Sequence, residues 1–242
     1  MVGGAAAVLD RRRLVALGVL AALLAAYFAG HEELPRLSTW WDVAWLGAVV
    51  LPAVFATVFL LLPLWPWSAN WIVGLVCAVL AVGFSLVGVE ALASFAKLGA
   101  ATFFAWSFLE LFEDLSWIVL VALVIPWVDA YSVWRGPTNA IVHHHKGVFA
   151  HLSFAYPIPG AKGTANLGIP DMVFFALFLG ATSRWRLRPV WSWLLMVASF
   201  GVTIAIAVAW HRDGLPALPL LSLGFVGANG DLLWRRLRTA RS

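Results

Sequence analysis

Charged residues and cysteines are scarce in this chain. Asp, Glu, Lys and Arg make up 12% of its 242 residues, about half the share found in an average soluble domain. The one cysteine, Cys77, falls within an apolar run, so a disulfide framework is excluded. We interpret Cys77 as a small apolar core residue. These shortages exclude an ordinary soluble domain.

Apolar residues take the place of the missing charge. They make up 62% of the chain, which contains 15 Trp and has a mean hydropathy of +0.90. Because about 20 apolar residues span a bilayer, the sequence predicts an all-helical, polytopic membrane bundle forming one integral membrane domain over residues 1–242. Eight transmembrane helices are predicted, over residues 14–29, 43–62, 71–89, 91–110, 116–134, 170–183, 190–210 and 216–234.

Two boundaries in this prediction depend on weak signals. The apolar run from Trp71 to Phe112 is too long for one span, and we divide it at Glu90, which lies either in a turn or inside the bundle. The basic flank and apolar core of the first segment resemble a signal peptide, although a retained first helix is favoured.

The distribution of basic residues predicts the orientation. Ten of the 16 Lys and Arg residues lie on the face that holds the two termini and the loop around Arg184. The positive-inside rule therefore predicts cytoplasmic termini in a multi-pass cell-membrane protein. Because these basic residues flank apolar runs, nucleic-acid binding is not predicted.

Two carboxylates lie inside the apolar runs and flank one loop. Asp129 is near the end of the fifth predicted helix, three residues after Pro126, and Asp171 begins the sixth. An aspartate in hydrocarbon costs roughly 2.5 to 3.5 kcal/mol, so such residues are usually paired, solvated or functional. Because successive spans alternate in direction, Asp129, Asp171 and Pro216 are predicted to open on one face. Asp231 is predicted on the other face, paired with Arg235 or Arg236.

A pair of carboxylates in a small, poorly solvated site shares one proton. One acid can then take a proton from water while the other polarises a peptide carbonyl, which gives hydrolysis without a metal or a cofactor. Two other interpretations remain open. The acids could be structural, held by Arg135 and Lys162, or they could serve a proton pathway.

Three stretches, taken in order, resemble the motifs of the presenilin and signal peptide peptidase family of intramembrane aspartyl proteases. They are Val128-Asp129-Ala130-Tyr131, Gly168-Ile169-Pro170-Asp171 and Pro216-Ala217-Leu218. The resemblance covers residues 116–234, the predicted catalytic helices with their loop 135–167. Residues 14–115, the predicted N-terminal helices, match only in being hydrophobic.

The resemblance implies catalytic roles for Asp129 and Asp171. It also implies that Gly168, Pro216, Ala217 and Leu218 shape the site and contact substrate backbone. Val128 stands where the family has a tyrosine, and Pro170 stands where it has the second glycine. The family usually has five spans before the first aspartate helix, whereas four are counted here, so nine helices is the alternative count.

The loop 135–167 contains two further patterns. Apolar residues alternate from Val148 to Tyr156, which predicts either a strand that could add to an unwound substrate or an irregular loop. Three adjacent histidines, His143 to His145, cannot all face one ion from regular structure, so no metal site is predicted.

The sequence thus predicts an intramembrane aspartyl endopeptidase that cleaves within or near transmembrane segments or signal peptides of other proteins in the lipid bilayer. The alternative is a small transporter or proton-coupled permease that uses the same two buried acids.

Overall fold

The chain is folded mostly into helices. The computed structural model describes residues 9–135, 153–212 and 215–239. These residues form eight helices, and each overlaps one predicted span: α1 (Arg11–Gly30), α2 (Thr39–Leu64), α3 (Asn70–Leu86), α4 (Glu90–Leu109), α5 (Leu115–Arg135), α6 (Ile169–Arg184), α7 (Pro189–Ala209) and α8 (Leu218–Thr239). The predicted helical class is therefore confirmed for the described residues.

Five of the eight helices are long and apolar enough to cross a membrane. They are α1 with its following turn, α2, α4, α5 and α7, while α3 is a shorter apolar helix. The remaining two helices do not meet the requirements for a spanning helix, for separate reasons. Helix α6 has only 16 residues, and the last turns of α8 contain Arg236 and Arg238. Length and composition thus support a membrane protein, and five of the described helices meet both requirements where eight spans were predicted.

The short helix α6 forms the centre of the bundle. It packs against α4, α5, α7 and α8, and every residue from Phe175 to Thr182 is completely buried. A helix that is apolar on all sides is one that other helices surround. Protein rather than lipid therefore covers α6, and Asp171 lies at one of its ends.

The division between α3 and α4 is correct. Gly88 has a φ of +75°, a left-handed conformation that glycine adopts without strain, and α4 begins at Glu90. The exposed Glu90 therefore lies in the first turn of a helix, where its charge is compatible with the helix dipole.

Two short strands interrupt the helical chain between α5 and α6. Strand β1 (Ser153–Pro157) pairs antiparallel with β2 (Thr164–Gly168). The predicted strand is confirmed for its second half, and its first half, before residue 153, lies outside the described residues. Since β2 ends where α6 begins, the hairpin leads directly to Asp171.

Polar contacts join α7 to α8 at the end of the bundle opposite Asp129 and Asp171. They involve Asn229, Arg188 and Asp231. The fully buried Asn229 amide accepts from the Arg188 backbone N–H at 2.9 Å and donates to Ser192 Oγ at 2.7 Å. Arg188 forms a two-pronged ion pair with Asp231, at 2.9 and 2.8 Å. Asp231 thus has a partner other than the predicted Arg235 or Arg236: the planar guanidinium of Arg188, the residue before α7, meets both carboxylate oxygens at once.

Gly180 allows α4 to approach α6 closely, and we expect alanine at this position to destabilise the fold. A Cβ there would lie 2.8 Å from Cδ1 of Trp106, whose indole N–H donates to the Ala176 carbonyl at 3.0 Å. Overpacking of this kind costs about 1–3 kcal/mol. Thermal unfolding in detergent, followed by circular dichroism, should show a midpoint several degrees lower.

Gly18 in α1 provides the control for Gly180→Ala. No atom lies within 4 Å of a Cβ built on Gly18, so Gly18→Ala should leave the midpoint unchanged or raise it, since alanine favours a helix by about 0.5–1 kcal/mol. Equal midpoints for the two variants would show that the Gly180 contact does not limit packing.

Candidate active site

Asp129 lies at the N-terminus of another helix. It is partly exposed, near the C-terminal end of α5, and its Oδ2 accepts a hydrogen bond from the backbone N–H of Leu218 at 3.1 Å. Leu218 is the first residue of α8, so this N–H is one of the four that a helix leaves unpaired at its start. The helix dipole favours a negative charge at the same point.

Asp171 lies in the first turn of its own helix. The helix-capping residue is Gly168, Pro170 is the second helical residue, and Asp171 is the third. The backbone N–H of Gly168 favours the charged form of the Asp171 carboxyl, a placement like one half of the reciprocal arrangement in a capping box. The proline fits because a residue in the first turn needs no N–H partner.

Gly168 leaves room for the Asp171 carboxylate, and its backbone conformation does not require glycine. Its φ of −65° is open to any residue. A Cβ on Gly168, however, would lie 3.3 Å from Asp171 Oδ2, so the carboxylate would have to shift. The absence of a side chain at position 168 therefore fixes where Asp171 lies.

The three stretches noted in the sequence meet at one end of the bundle. Asp129 and Asp171 are close enough for their charges to interact, and Asp129 bonds directly to Leu218. Ala217 is buried, and its carbonyl accepts from Leu221 in the first turn of α8. Pro216 is half-buried beside it. All six residues predicted for the site thus lie around the converging ends of α5, α6 and α8.

Within residues 9–135, 153–212 and 215–239, no ion pair to either aspartate is seen. The ion pair seen there joins Arg188 to Asp231, and neither Arg135 nor Lys162 bonds to the two acids. Helix N–H groups account for the position of each acid separately. They do not account for two interacting carboxylates without a counter-ion, and such sites are characteristic of acid–base chemistry.

Side chains from α1 and α4 cover one edge of the hairpin. Lys97 Nζ donates to the Ser153 carbonyl at 3.1 Å, Ser94 Oγ accepts from the Ala155 N–H at 3.3 Å, and Tyr27 Oη donates to the Pro157 carbonyl at 2.6 Å. These bonds use the backbone groups of β1 that point away from β2. No further strand can therefore pair with β1.

Nothing in the described part of the chain pairs with the other edge of the hairpin. Backbone groups alternate in direction along a strand, so Phe154 and Tyr156 of β1 pair with Leu167 and Ala165 of β2. The N–H and C=O groups of Thr164 and Asn166 then point away from β1. No described residue bonds to these groups, and β2 is the more exposed strand.

Tyr156 is a residue that the sequence did not indicate as functional. Its side chain is only 3% exposed, and its hydroxyl has no hydrogen-bond partner among the described residues. Leaving a buried hydroxyl unpaired costs about 1–3 kcal/mol. The sequence pattern marks position 156 only as an inward-facing strand position, and that description applies equally to phenylalanine.

Lys97 and Ser94 were also not indicated by the sequence, although a signal was present. Lys97 is an isolated cation inside an apolar run, and Ser94 precedes it by one helical turn, so the two share a helix face. An intramembrane cation generally marks a buried partner, which here is the backbone of β1.

The prediction about histidines 143–145 lies outside the described residues. Within the described residues, no group of three or more His, Cys, Asp or Glu side chains could hold a metal ion.

Two comparisons of the sequence with known proteins gave no match. No protein-family model matches the chain, and no curated protein matches it. The functional assignment therefore depends on the site itself.

Proposed function

We propose that this protein is an intramembrane aspartyl endopeptidase, which resembles the presenilin and signal peptide peptidase family in the order of its motifs. The supporting observation is that Asp129 and Asp171 interact at the converging ends of α5, α6 and α8, with no ion pair to either acid among the described residues. Its substrates are peptide bonds within or near transmembrane segments and signal peptides of other membrane proteins.

The two acids divide the chemistry between them. Because two like charges at short range are unfavourable, the pair shares one proton. The ionised carboxylate takes a proton from water, which forms a bond to the scissile carbonyl carbon, and the neutral acid gives its proton to the carbonyl oxygen. Collapse of this tetrahedral intermediate breaks the C–N bond, and the leaving amine receives a proton from the pair.

The open edge of β2 supports the same function. A transmembrane helix hides its peptide bonds in its own hydrogen bonds, so it must be unwound locally before water can attack. An extended segment pairing with Thr164 and Asn166 would satisfy the backbone groups released by unwinding. Because β2 runs into Gly168 and then Asp171, such a segment would be led towards the acids.

Pro216, Ala217 and Leu218 act as a fixed support. The Leu218 N–H holds Asp129, and the buried Ala217 immediately precedes α8. Pro216 has no N–H and a restricted φ, which limits the paths by which the chain can enter α8. We assign this turn and Gly168 to shaping the site and to contacts with substrate backbone.

The proposed topology follows the basic residues. The positive-inside rule places both termini in the cytoplasm. The acid pair then opens towards the opposite face of the cell membrane. To test this topology, Asp10 or Lys162 is replaced by cysteine in a Cys77→Ser background, and intact cells are treated with a thiol reagent that does not cross the membrane. We expect the cysteine at position 162 to be labelled and the cysteine at position 10 to stay unlabelled.

The test compares proteolysis with transport. Purified protein in liposomes is incubated with a panel of synthetic transmembrane peptides, and the products are identified by mass spectrometry. We expect cleavage at defined bonds in or next to the apolar segments. Intact peptides across the panel, together with acid-dependent solute uptake by the same liposomes, would instead favour the proton-coupled permease.

A further inference from the structure

Tyr156 is set apart from the other two tyrosines by its environment. The Tyr27 hydroxyl donates to the Pro157 carbonyl, and Tyr131 is 66% exposed, so both have an ordinary explanation. The Tyr156 hydroxyl is buried and has no partner among the described residues. A native structure rarely leaves a buried polar group unpaired, and the exceptions often have a catalytic role.

Packing does not explain why position 156 is a tyrosine. Its ring lies 4.5 Å from that of Phe154, centre to centre, and Phe154 in turn contacts Phe28 and Phe95. Phenylalanine would preserve these ring contacts and remove an unpaired polar atom. Ring packing therefore does not account for the hydroxyl of Tyr156.

The surroundings of the Tyr156 hydroxyl indicate its role. Tyr156 is paired with Ala165 of β2, three residues before Gly168. Asp171 is close enough for its charge to act on the phenol of Tyr156. Burial, and after it the negative charge of Asp171, raises the pKa of Tyr156 well above its ordinary value. The phenol thus keeps its proton at neutral pH and remains a hydrogen-bond donor beside the acid pair.

We propose that Tyr156 is a third catalytic residue, whose hydroxyl donates a hydrogen bond to the scissile carbonyl oxygen as water adds to the carbonyl carbon. The inference rests on the proposed proteolytic function. The phenol keeps its proton throughout, because the proton on that oxygen comes from the neutral aspartic acid. Charge that develops on the oxygen in the transition state is stabilised by a donor fixed in advance on β1.

The test is Tyr156→Phe, with Tyr131→Phe as the matched control. Both changes remove one phenolic oxygen, but Tyr131 is exposed on α5. We expect Tyr156→Phe to lower kcat about 100-fold, as loss of one such donor does in other enzymes, with KM little changed. Its thermal midpoint should equal or exceed that of the wild type, because an unpaired buried hydroxyl is gone.

A second measurement separates catalysis from structure. A peptide analogue with a tetrahedral hydroxyl-bearing carbon in place of the scissile carbonyl should bind Tyr156→Phe at least tenfold more weakly, whereas an uncleaved ground-state peptide should bind equally well. A purely structural role would affect both ligands alike.

Two outcomes identify which proposal fails. Wild-type kcat in Tyr156→Phe, with cleavage lost in Asp129→Asn, would overturn the role of Tyr156 and leave the protease intact. Absence of peptide cleavage by the wild type would overturn the proposed function itself.

Discussion

Asp129→Asn and Asp171→Asn should each abolish peptide cleavage while leaving the protein folded. An asparagine oxygen at position 129 can still accept from the Leu218 N–H, so the start of α8 keeps its partner, and asparagine at position 171 has nearly the same size and shape as the aspartate. An amide, however, neither takes a proton from water nor gives one to a carbonyl oxygen. Loss of one member of a catalytic unit typically costs about 10⁴-fold in kcat or more.

Asp231→Asn is the matched control for these two variants. It makes the same chemical change at the opposite end of α8, where it weakens the exposed ion pair with Arg188, a contact worth less than about 1 kcal/mol. Cleavage by Asp231→Asn should be close to that of the wild type. Cleavage above about a tenth of the wild-type rate in either active-site variant would contradict the assignment.

Asn166→Pro should lower kcat/KM about 100-fold, because it closes the free edge of β2. The substitution removes the outward N–H and puts a ring in its place, while the pairing with β1 is preserved because the N–H at position 166 points away from it. A substrate strand would lose one hydrogen bond and leave a carbonyl unpaired, at a cost of about 1–3 kcal/mol.

Asn166→Ala distinguishes the effect of losing the backbone N–H on the β2 edge from the effect of losing the Asn166 side chain. The Asn166 side chain accepts from Ser153 Oγ at 3.3 Å, and alanine loses this contact but keeps the backbone N–H. Cleavage of a transmembrane peptide by Asn166→Ala should stay within about threefold of the wild type, since one weak contact is lost. Equal losses in both variants would mean that the side chain is responsible and that strand addition does not occur.

Hydropathy predicted the positions of all eight helices because the length of an apolar run is a direct consequence of bilayer thickness. It could not predict that α6 is short and enclosed by other helices, since the covering helices come from distant parts of the sequence. The convergence of Asp129, Asp171 and Pro216 was inferred from alternating span directions, which need only the order of the later helices.

The contacts around the hairpin were beyond sequence reasoning for a different reason. Lys97 and Ser153 are separated by 56 positions, and Tyr27 and Pro157 by 130. No local pattern connects residues so far apart. The partner of Asp231 was missed for the same reason: the sequence suggested arginines one turn along the helix, whereas tertiary packing supplied Arg188.

The space beside Gly168 has a consequence for how this position tolerates substitution. Serine and asparagine are better helix-capping residues than glycine, so a mutational scan scored on folded protein should favour them at position 168. The same scan scored on cleavage should reject them, because a Cβ would lie 3.3 Å from Asp171 Oδ2 and shift the carboxylate. A position at which the two scores diverge in this way has exchanged stability for activity.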